Sequence, residues 1–283
     1  MPKVSIRIMT FNSEKFIARV IDSCLSQTFQ DFEICIADDA SSDSTVDIIR
    51  EYQKKYPGRI KLFVQPINMG QYSLAINGNA GRAMCEGKYV AILDGDECMR
   101  VDRLEKQVDF LDKNPKFIAV SHDKTYVDFL TGKEIDSQTK KTKPADLTTK
   151  NLILNGNRFH NCYMMRNTGA MADNSLKVLA DWHFIIRLSM EGKLGYQHEQ
   201  LTVKYWHGEN VTTKRKTQFL EDRLITLALL ECSNPELMKY IKVRRAKHYL
   251  NEVRKGGWHY VPSLLSSPVT LLRALMSKYR LPG

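Results

Sequence analysis

The sequence predicts an α/β fold, with a mostly parallel, doubly wound sheet flanked by helices and followed by a helical extension. Three observations lead there. Short apolar runs alternate with amphipathic segments through the first hundred residues, and alternation of that length requires crossover connections and hence parallel pairing. Acids stand directly behind two of the apolar runs, as Asp38-Asp39 and Asp94-Gly95-Asp96-Glu97, where open α/β sheets bind ligands. Beyond Lys214 only helical periodicity remains.

Each element has a reason in its residues. Val4–Met9 is an apolar run of strand length. Ser13 is placed to cap a helix through Ser26, in which Phe16, Ile17, Val20, Ile21, Cys24 and Leu25 recur at helical spacing. Phe32–Ala37 is the second strand, Ser44 to Lys55 a helix, and Ile60–Gln65 the third strand. A turn at Asn68-Met69-Gly70 opens a helix that ends near Gly87. Tyr89–Leu93 is a buried strand stopped by the acidic turn, Asp102–Asp112 a helix, and Phe117–Ser121 a strand. The polar stretch from Thr131 to Thr149 reads as a mobile surface excursion. Leu152–Leu154, the strand-like Asn161–Met165, the helix Trp182–Glu191 and the strand Leu201–Trp206 follow. After Lys214 come Phe219, Leu220, Leu224, Leu227 and Ala228, then Met238, Ile241, Tyr249 and Leu250, all at helical spacing. The division is therefore 1–213 for the α/β domain and 214–283 for a basic helical region.

Composition narrows the function classes. No apolar stretch approaches the roughly 20 residues of a spanning helix, and the N-terminus lacks a signal peptide's apolar core. A cytoplasmic location is the expectation. The six cysteines form no Cys-x-x-Cys pair, which points to reduced, buried thiols rather than a metal site. Cys98, close to the acidic turn, is the thiol to watch for reactivity. From Lys214 onward 14 basic residues face five acids, so this segment carries +9 of the net +10. Its apolar positions Leu264, Leu265, Val269, Leu271, Leu272, Leu275 and Met276 interleave with Arg273, Lys278 and Arg280. Three readings stay open for it: an anionic membrane surface, packing against the catalytic domain, or contact with a second copy in a homo-oligomer. Nucleic acid is not expected as a partner, because no recognition motif accompanies the charge.

The segments Val4-Ser5-Ile6 through Thr10-Phe11-Asn12, Ser26-Gln27-Thr28-Phe29-Gln30-Asp31-Phe32-Glu33 and Asp38-Asp39-Ala40-Ser41-Ser42-Asp43 occur in an informative order. They are followed by Asn68-x-Gly70, Asn79-x-Gly81, Gly87-Lys88-Tyr89, Asp94-x-Asp96 and Ala180-Asp181 with Arg187. Over residues 3–210 the set resembles the inverting nucleotide-sugar glycosyltransferases of family 2, which have the GT-A fold, a Rossmann-like and mostly parallel sheet. The resemblance implies a nucleoside-diphosphate sugar donor, UDP- or dTDP-linked. It also implies Mn2+ or Mg2+ as cofactor and a saccharide or lipid-linked acceptor, in surface-polysaccharide or glycolipid synthesis. An acceptor of that kind makes peripheral attachment to the inner face of the plasma membrane an open expectation for the C-terminal region.

The resemblance also gives each motif a role. Thr10, Phe11, Asn12, Asp39 and Asn68 fall in the nucleotide site, with Phe11 stacking on the base and Asp39 accepting the hydrogen bond of its imide. Asp38 holds the loop, and Asp43 is a turn or capping aspartate. Asp96 coordinates the cation that bridges the diphosphate, while Asp94 contacts ribose or a metal-bound water. His207, in Tyr205-Trp206-His207-Gly208, resembles a late family histidine that completes metal or diphosphate binding; the alternative is a structural histidine. Asp181 is the candidate general base, with a helix-capping aspartate as the alternative. Trp182 and His183 beside it line an acceptor site or pack in the core.

Two departures stand out. Many relatives carry Glu-Asp where this chain has Ala180-Asp181, and many carry an arginine where it has Gly78, with Arg82 as a candidate substitute. Two other functions compete. A nucleotidyltransferase also places acids at strand ends, but it wants a glycine-rich, basic phosphate loop that Thr10-Phe11-Asn12-Ser13-Glu14 does not provide. A catalytically inactive sugar-nucleotide-binding partner would have no need of Asp39, Asp96 and Asp181 together.

Overall fold

The computed structural model describes residues 1–135, 144–157, 159, 161–206 and 216–254. Nine strands form one sheet: β1 (Val4–Thr10), β2 (Phe32–Asp38), β3 (Ile60–Val64), β4 (Tyr89–Asp94), β5 (Glu97–Met99), β6 (Phe117–Asp128), β7 (Glu134–Ile135), β8 (Tyr163–Arg166) and β9 (Lys193–Trp206). Their order is β3-β2-β1-β4-β8-β6-β9-β5, with β7 paired to β6. The four strands from β3 to β4 are parallel, whereas β8 runs antiparallel to both β4 and β6. The order reverses at β1, which lies between β2 and β4. That is the topological switch point at which such sheets open a crevice.

Alternation along β1 decides which side chain faces which layer. Val4, Ile6 and Ile8 pack with Ile17, Val20 and Ile21 of α1 (Ile17–Leu25), Ile49 of α2 (Thr45–Lys55) and Leu104, Val108 and Leu111 of α4 (Arg103–Lys113). The opposite face, carrying Cys35, Val90 and Ile92, packs against α5 (Thr149–Asn155) and α6 (Ala180–Glu191) through Leu152, Ile153, Trp182, Phe184, Ile185 and Ile186. Helix α3 (Ser73–Ala83) also lies on this face, over β1 and β2. Leu227 and Leu230 of α7 (Lys216–Ser233) and Ile241 of α8 (Met238–Arg254) join the same cluster. The described part of the basic region is thus built into the core of the catalytic part. Residues 255–283, which hold the apolar and basic positions from Leu264 to Arg280, lie outside the described residues, as does His207. Among the described residues no helix is long and apolar enough to cross a membrane.

Several expectations shift in the structure. Helix α1 starts at Ile17, and Ser13 does not cap it with its side chain. The Ser13 carbonyl instead accepts the N–H groups of Phe16 and Ile17, and its hydroxyl donates to the Phe11 carbonyl at 3.1 Å. Helix α3 stops at Ala83 rather than near Gly87. Strands β6 and β9 are longer than the expected segments, 12 and 14 residues in all. They pair in parallel with register shifts near His122–Lys124, and in this stretch buried polar groups replace the apolar signal. Strand β5 was not foreseen at all; three residues inside an acidic turn carry no readable period. The polar stretch after Thr131 contributes β7 and the single-turn helix Pro144–Leu147, with 136–143 outside the described residues.

Gly87, between α3 and β4, shows how tightly the parallel strands are seated. Its N–H donates to Ser5 Oγ at 2.8 Å, and an added Cβ would stand 2.6 Å from the Ser5 nitrogen and 2.8 Å from the Val4 carbonyl carbon. Because the obstacle is backbone, Gly87→Ala must push β1 and β4 apart. A loss of about 1–3 kcal/mol in urea-unfolding free energy is expected, the usual scale of overpacking. An unchanged midpoint would refute it.

Candidate active site

The crevice at the carboxyl ends of β1, β2 and β4 is assembled from loops that brace one another. After β1 the chain enters the left-handed region at Asn12 (φ 46°), a conformation asparagine tolerates better than most residues. Asn12 then donates its N–H to Ser41 Oγ at 2.8 Å and accepts the Ser42 N–H at 2.9 Å. Asp38 accepts the Ser41 N–H at 2.8 Å and its hydroxyl at 2.5 Å, so it ties the loop after β2; burial nonetheless pushes its pKa up. Asp43 accepts the N–H and hydroxyl of Thr45, at 3.0 and 2.5 Å, at the start of α2. Asp39 is held from above, with the Met69 N–H on Oδ1 at 2.9 Å and Asn68 Nδ2 on Oδ2 at 3.1 Å. Asn68 also donates to the Asp39 carbonyl and accepts the Gly70 N–H, both at 2.9 Å. Its amide is therefore spent on orienting Asp39. Thr10 is buried with its hydroxyl unpartnered, and the Phe11 ring, 47% exposed, stands at the rim.

The next strand brings the acids. One carboxylate oxygen each from Asp94, Asp96 and Glu97 lie within 4.8 Å of one another. Burial, and after it the Glu97 charge, pushes Asp94 up to about 6. Glu97 is fully buried and held by Lys124 Nζ at 2.9 and 3.2 Å and Lys204 Nζ at 3.0 Å, with the Cys162 thiol also donating to it. Burial alone would raise its pKa, but the two ammonium groups hold it at about 2. Gly95 is required for a reason the sequence did not disclose. A Cβ there would meet the Met9 carbonyl oxygen at 2.8 Å and Thr10 Cβ at 3.0 Å, so the end of β1 leaves no room for a side chain. Cys98 is buried and its thiol is pushed up to about 11 by that burial, which makes it an unreactive thiol.

Asp181 enters from the first turn of α6. Its Oδ1 accepts the Trp182 N–H at 2.7 Å and its Oδ2 the amide of Asn157 at 3.4 Å, while burial raises its pKa. Trp182 and His183 are both core residues. The indole donates to the Leu152 carbonyl at 3.0 Å, and burial lowers the His183 imidazole to about 4. The residues leading into α6 are fixed from two sides. Asn79 of α3 exchanges hydrogen bonds with Ala172 and Asn174. Asp222 of α7, itself fully buried, accepts the N–H groups of Lys177, Val178 and Leu179 on one oxygen at 2.8, 2.5 and 2.9 Å.

Thr10, Phe11, Asn12, Asp39 and Asn68 thus form one wall beside the Asp94–Asp96 turn. Asp181 approaches from the helical layer on the sheet face that carries Val90 and Ile92. His207 lies outside the described residues. Sequence reasoning missed Glu97, Lys124, Lys204 and Asp222. The first adjoins a recognised motif without a role of its own; a lone lysine in a strand carries no signal of burial, and nothing local marks Asp222 as a cap for a helix some forty residues away.

The glycosyl transferase family 2 model matches residues 5–171, more than half of the chain. An uncharacterized glycosyltransferase of Haemophilus influenzae is 34% identical over 159 residues, 56% of this chain and 60% of that protein. The chondroitin synthase of Escherichia coli is 26% identical over an alignment covering 92% of this chain and 37% of that protein. This chain therefore spans less than two thirds of either relative. S. aureus TarS 1-349, solved in complex with UDP-GlcNAc, superposes with a TM-score of 0.69 at 18% identity, over 96% of this chain and 79% of that one. The likeness is one of fold.

The Asp222 carboxylate stands in for the missing cap at the start of α6. Asp222→Ala would leave three buried N–H groups unpaired, so a loss of about 3 kcal/mol or more is expected, at about 1–3 kcal/mol for each orphaned group. Hydrogen exchange at Lys177–Leu179 should accelerate first. Unfolding and exchange indistinguishable from wild type would remove Asp222 from this role.

Proposed function

Because this chain belongs to glycosyl transferase family 2 and has the GT-A fold, we propose a specific activity for it. It transfers a sugar from a UDP- or dTDP-linked donor to a hydroxyl of a saccharide or lipid-linked acceptor, with inversion, in surface-polysaccharide or glycolipid synthesis. The observation that carries the proposal is the acid cluster at the end of β4 beside the braced Asp39, with a buried Asp181 supplied from α6.

The donor set suits a hard divalent cation, since carboxylate oxygens are what Mg2+ and Mn2+ prefer. Glu97 is already satisfied by two lysines, so Asp96 and Asp94 are the residues that would hold the ion. When bound, such a cation neutralises the charge that develops on a departing nucleoside diphosphate. The protein's own residues do the rest. Phe11 offers its exposed face to the base, and Asp39 presents a fixed acceptor to the imide N–H. Asp181 takes the proton of the acceptor hydroxyl as that oxygen bonds to the anomeric carbon and the bond to the diphosphate breaks on the opposite face. Burial makes Asp181 more basic than an ordinary aspartate, which suits it to that transfer.

Two outcomes test this reading. Asp96→Ala, and a chelator on the wild type, should each abolish nucleotide-sugar hydrolysis, with added Mn2+ or Mg2+ restoring only the wild type. Full turnover in excess chelator would refute the metal assignment.

Asp181→Asn should lower kcat about a hundredfold or more, the scale of general-base removal, while calorimetric affinity for UDP stays put. Phe11→Ala should show the reverse, losing affinity first. A large loss of UDP affinity in Asp181→Asn would return that residue to a structural role.

A further inference from the structure

Arg7 lies in the middle of β1, on the sheet face shared by Met9 and, one strand over, Ile92 and Asp94. An apolar residue would satisfy this position in a parallel central strand. The guanidinium is instead only 5% exposed, and neither Nε nor Nη1 has a hydrogen-bond partner. Among the described residues it belongs to no ion pair. A buried cation with open donors is costly and calls for a counter-charge.

The fold makes room for this side chain by leaving others out. Helix α3 crosses β1 with glycines at 78 and 81. A Cβ on Gly81 would stand 3.1 Å from Arg7 Cδ, and one on Gly78 would stand 3.8 Å from Arg7 Nη1 and 3.1 Å from Met9 Sδ. Arg82, one turn further along α3, is also buried. Its Nη1 is 3.3 Å from Asn79 Oδ1, its Nε is unpartnered, and its guanidinium lies 4.3 Å from the Phe184 ring centre. Burial first, and Arg82 second, depress the Arg7 pKa, against the pull of Tyr163 and Asp94. Tyr163 in turn feels both arginines and Asp181. Arg7 therefore lies within electrostatic reach of the strand-end Asp94, and Tyr163 links both arginines to the surroundings of Asp181.

We infer that Arg7, supported by Arg82, forms a cationic floor of the donor site and receives an anionic group of the nucleotide sugar. The inference rests on the proposed donor chemistry. Two parts of such a donor offer the oxygens a guanidinium recognises, the diphosphate and a carboxylate on an acidic sugar.

Calorimetry in the presence of Mn2+ separates them, using UDP, UDP-glucose and UDP-glucuronate, with the dTDP series alongside. The proteins are the full-length wild type, Arg7→Met and Arg7→Lys. Methionine fills similar space without charge, so Arg7→Met should keep or raise the melting temperature while weakening binding by about 10- to 100-fold, the worth of a charge-assisted hydrogen bond. Equal loss for every ligand assigns the floor to the diphosphate, and loss confined to UDP-glucuronate assigns it to a sugar carboxylate. Arg7→Lys, which keeps the charge, should fall between and carries the test if the methionine variant does not fold. Unchanged affinity for all ligands overturns the inference, as does a lowered melting temperature without any change in affinity. If the wild type binds none of these nucleotides, the donor reading itself fails and the inference falls with it.

Discussion

The structure turns on one buried carboxylate. Glu97 of β5 is closed off from water and engaged by Lys124 of β6 and Lys204 of β9, so three strands meet through charge directly beneath the Asp94–Asp96 turn. An ion pair in this setting adds little net stability compared with apolar packing, but losing one partner strands the other charge. The arrangement is best understood as a device for placement. It holds the backbone that carries Asp96 from below, while the end of β1 presses on Gly95 from the side, leaving that turn little freedom to rearrange.

A second carboxylate works at a distance. Asp222 belongs to the helical extension, yet it terminates the backbone of the loop that delivers Asp181. With Leu227, Leu230 and Ile241 in the core beside Trp182, the extension acts as a structural wall of the catalytic part. Of the readings left open for the basic region, its described half follows the packing one and spends its apolar residues inward.

What the sequence revealed follows from how local each signal is. The strands β1, β2 and β4 are dominated by apolar residues, acids close β2 and β4, and α1, α2 and α4 have clean amphipathic spacing, so these elements and Asp38, Asp39, Asp94 and Asp96 could be placed in advance. Signals failed where burial is polar. Strands β6 and β9 continue through His122, Lys124, Thr202 and Lys204; His122 bonds Thr202 and both lysines donate to Glu97, so this stretch needs no apolar pattern. The Ser13 cap failed because α1 begins only at Ile17, with Phe16 at the cap position. Arg7 is invisible to periodicity for the same reason as Lys124: a charged residue inside a strand reads as an outward-facing position until its neighbours are known.

The bridge from Asp222 to the start of α6 bears on how this protein can diversify. Exchange of the C-terminal helices as a cassette is not neutral in such a scaffold. Here the cassette carries the group that closes the loop before Asp181, so any swap also resets how Asp181 is seated. Recombination between relatives should therefore succeed only when the crossover keeps residues 172–181 together with the first turns of α7. Those two distant stretches of chain are then inherited as a single unit.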